Sequence, residues 1–117
     1  MATAEIEVIG AGVFGLSVAY ACLKRGARVR LIEREQVAAG ASGGVVGAMA
    51  PHTPDNWNDK KQFQFESLIK SPAYWQEVDD LSGLNSGFVQ SGRLVPVVEE
   101  KHLPLAHERS ETAKNFW

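Results

Sequence analysis

Cysteine is all but missing from this chain of 117 residues: Cys22 stands alone. One thiol cannot build an internal disulfide framework, and such scarcity suits a reducing compartment. Long apolar runs are missing too; none approaches the roughly 18 residues that a helix needs to cross a bilayer. The opening Met1-Ala2-Thr3-Ala4-Glu5 has no basic flank, and the apolar stretch after it runs into glycines rather than a cleavage site. That pattern argues against a signal peptide, so a cytoplasmic protein with no membrane span is expected. Neither sign of charge dominates, with 12 Lys and Arg against 14 Asp and Glu and a net charge of -2. Lys60-Lys61 is the only adjacent lysine pair. This balance argues against nucleic acid or anionic membrane as a main partner. Metal-ligand spacing is lacking as well. His102 and His107 stand five apart with no third ligand, and no metal is expected.

What the chain does have is an ordinary globular composition, 44% hydrophobic and 22% charged, punctuated by 11 glycines. Glu5-Ile6-Glu7-Val8-Ile9 alternates and then runs apolar, as a strand buried on both faces would. Gly10 to Gly15 is a turn, and Leu16 to Arg25 carries apolar residues at helical spacing, stopped by Gly26 after Lys24-Arg25. Arg28 to Glu33 reads as a second strand ending in an acid. Strand, turn, helix and strand fit in about 30 residues, the size of one βαβ unit.

Gly10-Ala11-Gly12-Val13-Phe14-Gly15 is a GxGxxG pattern. Alone it is weak, but here it follows an apolar strand, opens a helix and precedes a strand ending in Glu33. Gly10 permits the tight turn. Gly12, lacking a Cβ, lets a pyrophosphate approach the helix N-terminus, and Gly15 lets the helix pack closely on the sheet. Glu33, roughly 20 residues beyond the glycines, can accept hydrogen bonds from ribose hydroxyls. It would repel a 2'-phosphate, which disfavours NADP, although Arg34 offers a partial counterargument.

From Ala38 to Pro51 the chain turns to small residues and carries no charge, yet Val45, Val46 and Met49 are too apolar for a flexible linker. Such a backbone suits close approach to something flat or anionic. Lys60 to Leu81 reads as a helix broken or kinked near Pro72, burying Phe65, Leu68, Ile69, Trp75, Val78 and Leu81. Phe88-Val89-Gln90 and Leu94 to Val98 suggest a short hairpin, with Pro96 holding its second strand to an edge. A last helix starts near Glu99 or Leu103, with Leu103, Ala106, Ala113 and Trp117 roughly on one face. His52 reads as a solvated loop residue, Cys22 as a buried small side chain, and Asp79-Asp80 as a solvated helix end.

Taken together, Gly10 to Gly15, Glu33-Arg34, and Gly40-Ala41-Ser42-Gly43-Gly44 leading to Gly47-Ala48-Met49-Ala50-Pro51 resemble the N-terminus of the D-amino-acid oxidase family of FAD-dependent oxidoreductases. Within it the likeness is to glycine-oxidase-like members. Leu81-Ser82-Gly83-Leu84 and Ser91-Gly92-Arg93-Leu94 resemble the stretch leading into their substrate domain. The resemblance covers the whole chain but only about the first third of a family member. It implies an α/β fold: a Rossmann-like FAD-binding βαβ unit, then helices and a short β-hairpin, as an incomplete domain. Residues 1–50 would belong to the FAD-binding domain, 51–82 to a helical segment, and 83–117 to the start of the substrate domain.

The same resemblance implies FAD as cofactor. Gly10, Gly12 and Gly15 would shape the turn, Val13 and Phe14 would offer backbone contacts to the pyrophosphate, and Glu33 and Arg34 would hold the adenosine. Ala41 and Ser42 would lie along the diphosphate and ribitol; Ala41 departs from the Thr or Ser pair usual there. Val46, Gly47 and Ala48 would run beside the isoalloxazine ring. The implied activity of the full-length protein is oxidation of a C–N bond in a small amine or amino acid. No residue here matches the family's substrate-binding Arg and Tyr, so this chain alone is expected to be inactive and, with an unpaired strand edge, to self-associate. Two other readings remain open: an NAD-dependent dehydrogenase, and a non-catalytic dinucleotide-binding or assembly module.

Overall fold

The computed structural model describes residues 5–116. The chain forms two compact units, Met1–Ala48 and Met49–Trp117. In the first unit, β1 (Ile6–Ile9), α1 (Val13–Leu23) and β2 (Val29–Ile32) make a two-stranded parallel sheet joined through a helix. The register pairs Ile6 with Val29, Glu7 with Arg30, Val8 with Leu31 and Ile9 with Ile32. Gly10 N–H donates to Ile32 O at 2.7 Å, carrying the ladder one residue past the strand. A parallel pair needs a crossover connection, and α1 provides it.

Helix α1 begins three residues earlier than the apolar spacing suggests, inside the glycine motif. Gly12 is its N-cap in an extended conformation, and Gly12 O accepts from Leu16 N–H at 2.9 Å. The helix ends at Leu23, and Gly26 turns the chain away with a φ of 83°, a value cheap only for glycine. Ala11 and Ala19 are the buried apolar residues of this unit, with Ile6, Val8 and Val29 half-buried. Cys22 is half-buried rather than buried.

The expectation that β1 is covered on both faces is not met. Glu5 and Glu7 point outward, paired with Arg28 at 3.3 Å and Arg30 at 3.0 Å, and Ile9 is 83% exposed. Among the described residues only α1 packs on the sheet, so one face keeps the alternating polar pattern that the sequence Glu-Ile-Glu-Val carries. Such exposed cross-strand ion pairs add little stability.

The second unit is built on α2 (Asp59–Ser82) and α3 (Leu103–Ala113), the latter preceded by a short 3-10 turn at Glu100–His102. Asn58 caps α2, its Oδ1 accepting from Lys61 N–H at 3.2 Å, and Gly83 closes it with a φ of 67°. The expected break at Pro72 does not occur: α2 is continuous. Pro72 lacks the N–H for one rung, and the neighbouring Ser71, buried, donates its hydroxyl to Ser67 O at 2.9 Å. Of the six residues on the predicted buried face, Phe65, Leu68, Trp75 and Val78 are half-buried while Ile69 and Leu81 are exposed.

The hairpin is a second correction. Residues 83–98 form no strand. Gly87 and Gly92 take left-handed φ values of 73° and 75°, and Pro96 cannot donate to a ladder. Leu94 is 99% exposed, so the segment has no surface on which to bury its apolar positions. Asp79 does more than end a helix, its carboxylate accepting from Ser86 N–H at 2.7 Å and Ser86 Oγ–H at 3.2 Å.

An aromatic cluster and one ion pair tie α2, α3 and the loop before α2 together. Trp57 stacks on Phe116 at 4.0 Å between ring centroids, and Phe65 meets both rings edge-on at 5.8 and 5.7 Å. Phe116 is thus a packing residue; Trp117, expected on one face with Leu103, Ala106 and Ala113, lies outside the described residues. Asp55 receives Arg109 through both carboxylate oxygens at 2.7 and 3.3 Å. That contact holds its carboxyl below the usual range, with burial opposing. The Lys61 ammonium donates to Thr53 O and Asp55 O, completing the loop's anchorage. Trp57→Ala removes the stack on Phe116 and the edge contact with Phe65, and should lower the stability of this unit by about 1–2 kcal/mol. A thermal melt followed by near-UV circular dichroism would measure it; an unchanged midpoint would count against the cluster as a stabiliser.

Candidate cofactor-binding site

The first unit contains a cleft of about 410 Å³ lined by Gly12, Glu33, Arg34, Glu35, Ala39, Gly40, Ala41 and Ser42. Its size lies in the range typical of small-ligand sites. Two stretches far apart in sequence meet there, and the reason is the strand geometry. Parallel pairing brings the C-terminal ends of β1 and β2 side by side, so the glycine turn after one and the acidic loop after the other share an edge.

Glu33 fastens them. Its Oε2 accepts from Ala11 N–H at 2.8 Å, and its Oε1 accepts from Arg34 N–H at 2.7 Å and Glu35 N–H at 3.0 Å. The Ala11 N–H, then the Glu35 N–H, hold the carboxyl below its usual range against a smaller opposing effect of burial; the Arg34 N–H and charge act in the same direction. At neutral pH this side chain is a carboxylate beside the glycine turn. Arg34 reaches Glu35 at 2.6 Å at the cleft rim, its guanidinium largely in water.

The loop after β2 is clasped onto the turn. Ala38 N–H donates to Ala11 O at 3.0 Å, and Ala38 adopts a φ of 61°, a left-handed conformation that a non-glycine residue holds only when its neighbours enforce it. A Cβ at Gly43 would lie 2.4 Å from Ala38 O. Residues Ala41–Gly43 then make one 3-10 turn. It delivers Ser42 Oγ to Val13 N–H at 2.8 Å, so a side chain 29 residues away caps the first residue of α1.

The glycines divide by role. A Cβ at Gly15 would sit 1.8 Å from Gly10 O, which makes Gly15 the position where helix and turn touch. Gly10 has a φ of 100°, the left-handed side of the map. Gly12 faces the cleft, and a Cβ there would meet Ser42 Oγ at 3.1 Å. Of the first amide groups of α1, Val13 N–H is taken by Ser42; Gly12, Phe14 and Gly15 N–H have no acceptor among the described residues.

Five of the residues expected from sequence therefore line one cleft: Gly12, Glu33, Arg34, Ala41 and Ser42. Gly10, Val13, Phe14 and Gly15 stand directly behind it in the turn and helix start. Val46, Gly47 and Ala48 are exposed and line no part of the cleft. Glu35, Ala39 and Gly40 are the lining residues that sequence reasoning missed. Ala39 and Gly40 lie in the small-residue run, which was the available signal for them; nothing in the spacing marks Glu35.

These residues fit the adenosine diphosphate half of a dinucleotide. A Cβ-free residue faces the cleft, three amide hydrogens at a helix start have no acceptor among the described residues, and a carboxylate stands at the far end of the second strand. In the second unit a wider cleft of about 950 Å³ is lined by His52, Arg93 and His102 with apolar side chains such as Val95, Val97 and Leu105. No group of three or more His, Cys, Asp or Glu able to hold a metal occurs among the described residues. No helix among them is long and apolar enough to cross a membrane.

Comparison with known proteins gives the family. The family model described as FAD dependent oxidoreductase (DAO) matches residues 5–116. The bifunctional protein ThiO/ThiG of Trichormus variabilis is 34% identical over 98 residues, covering 83% of this chain and 15% of that protein. The tRNA 5-methylaminomethyl-2-thiouridine biosynthesis bifunctional protein MnmC of Hydrogenovibrio crunogenus is 36% identical over 87 residues, 71% of this chain and 13% of its own length. MnmC of Chromohalobacter salexigens reaches 52% over 75 residues, 64% of this chain and 11% of that protein. The chain thus spans about 15% or less of the length of these curated relatives. No solved structure matches it. With the family model spanning nearly every residue, the chain belongs to the FAD-dependent oxidoreductase (DAO) family.

Proposed function

We propose that this chain binds FAD through its adenosine diphosphate half, in a Rossmann-like seat formed by β1, α1 and β2. The observation that carries the reading is the meeting of Gly12, the Glu33 carboxylate and Ser42 in one cleft at the start of α1. Glu33 takes the ribose hydroxyls, and the amides of Gly12, Phe14 and Gly15 receive the diphosphate. The helix start adds the favourable end of its dipole. Arg34 leaves Glu35 to cover the adenine, and Ala41 and Ser42 run along the diphosphate. Val46, Gly47 and Ala48, free of charge and exposed, suit the edge of a flat apolar ring.

The activity that follows belongs to the whole protein: oxidation of a C–N bond in an amine or amino acid such as glycine, sarcosine or a D-amino acid. Support comes from the family match and from relatives, two of which carry names that specify a methylaminomethyl group. FAD, when bound, supplies the two-electron acceptor. No residue of this chain is assigned a role toward the amine. Titration of the chain with FAD and with ADP, followed by calorimetry and by quenching of flavin fluorescence, tests the reading. Binding of both, with NADP much weaker because Glu33 opposes a 2'-phosphate, is expected. Absence of binding by FAD and ADP alike would overturn it.

A further inference from the structure

The amide of Val13, the first residue of α1, is one a diphosphate could use in the glycine turn, and a protein side chain already holds it. Ser42 Oγ accepts from Val13 N–H at 2.8 Å. The contact is built from outside the helix: α1 has no cap from its own N-cap residue, Gly12. The loop that brings Ser42 there is constrained at both ends. Ala38 is held at a φ of 61° by its bond to Ala11 O, and Gly43 packs so close to Ala38 O that no Cβ fits. The hydroxyl also lies 3.1 Å from where a Gly12 Cβ would be, so it occupies the space beside the one residue of the motif that faces the cleft.

We infer that Ser42 is a placeholder for a diphosphate oxygen. In the free protein its hydroxyl satisfies Val13 N–H and holds the helix start in shape. When the dinucleotide binds, a phosphate oxygen takes over that N–H, and the Ser42 hydroxyl turns from acceptor to donor toward the same phosphate. A hydroxyl suits this exchange because it carries both a proton and lone pairs and rotates freely. A carboxylate would cap the amide equally well but would repel the incoming phosphate. Ser42 is thus a positioning residue, keeping the amide aimed before the ligand arrives. The inference rests on the dinucleotide reading of the cleft.

Amide hydrogen exchange at Val13, read by NMR on the 117-residue chain with and without FAD, separates the two ideas. Without ligand, Ser42→Ala should speed exchange of the Val13 amide about fivefold, the usual consequence of losing a helix cap, and Ser42→Thr should restore protection. With saturating FAD, wild type and Ser42→Ala should become equally protected, because phosphate has replaced the hydroxyl as acceptor. Ser42→Asp should protect Val13 without ligand yet weaken FAD binding at least tenfold. Equal exchange of wild type and Ser42→Ala without FAD would overturn the cap. A difference that persists at saturation would overturn the handover while leaving FAD binding intact. If wild type binds neither FAD nor ADP, the handover and the dinucleotide reading both fall, whereas the free-state exchange difference would still identify Ser42 as a cap alone.

Discussion

Gly15→Ala is expected to unfold the N-terminal unit. The added methyl would stand 1.8 Å from Gly10 O, 3.0 Å from Gly10 C and 3.5 Å from the Val8 side chain. The first two are backbone atoms, and they cannot yield cheaply. Gly10 is fixed by its bond to Ile32 O at 2.7 Å and by a φ of 100°. Relief therefore requires α1 to move off the sheet, which would pull Val13 N–H away from Ser42 and Ala11 away from Glu33. Overpacking commonly costs about 1–3 kcal/mol and more when backbone must shift; here about 3 kcal/mol or more is expected, a large part of what holds a small domain together. The neighbouring glycines give the contrast. At Gly12 a methyl would meet only a rotatable hydroxyl at 3.1 Å, and at Gly47 it would meet nothing within 4 Å. Gly12→Ala should keep the fold and lose FAD binding, while Gly47→Ala should keep the fold. Urea unfolding of the three variants checks the order, and a wild-type midpoint for Gly15→Ala would refute the helix–turn contact.

That order of glycines explains what was legible in the sequence. The motif Gly10 to Gly15 lies within one short turn, where chain geometry alone decides which residue must lack a side chain, so its three roles could be assigned from spacing. Glu33 was legible for a related reason: the length of one βαβ unit fixes where the second strand ends. Ser42 was named from the family pattern, but its partner was not, since a contact 29 residues apart depends on how the loop folds back. The left-handed Ala38 that turns this loop has no sequence mark, because alanine rarely adopts that conformation. The hairpin at residues 88–98 failed where local pattern met a missing surface. β-branched residues favour strands only against something that buries them, and this segment is exposed throughout apart from Phe88. The same logic covers β1, whose expected second layer is not supplied by the described residues. The break at Pro72 failed in the opposite direction, with α2 running through the proline as one helix of 24 residues and the Ser71 hydroxyl bonding Ser67 O beside the lost rung.

The acid limb of stability should report Glu33 directly. Its carboxyl is held below the usual value, about 4.3 for glutamate, first by Ala11 N–H. A group whose folded value is depressed contributes stability above its unfolded value and loses that contribution as pH falls through the folded one. Below about pH 4.3 the bond between the two strand ends should therefore weaken progressively, and the cleft should loosen with it. Asp55 is depressed as well and acts with the same sign in the other unit, so a global unfolding curve mixes the two. The Ala11 amide resolves them, because it bonds Glu33 and no other titrating group. Its NMR shift should follow a single ionisation below pH 4.3 in wild type and stay flat in Glu33→Gln. The amide variant offers one acceptor oxygen where three N–H groups converge, so at neutral pH it should also bind FAD about tenfold to a hundredfold more weakly, as loss of a hydrogen bond to a charged acceptor implies. An Ala11 titration that survives in Glu33→Gln would remove Glu33 from the turn, and unchanged FAD affinity would remove it from the ribose.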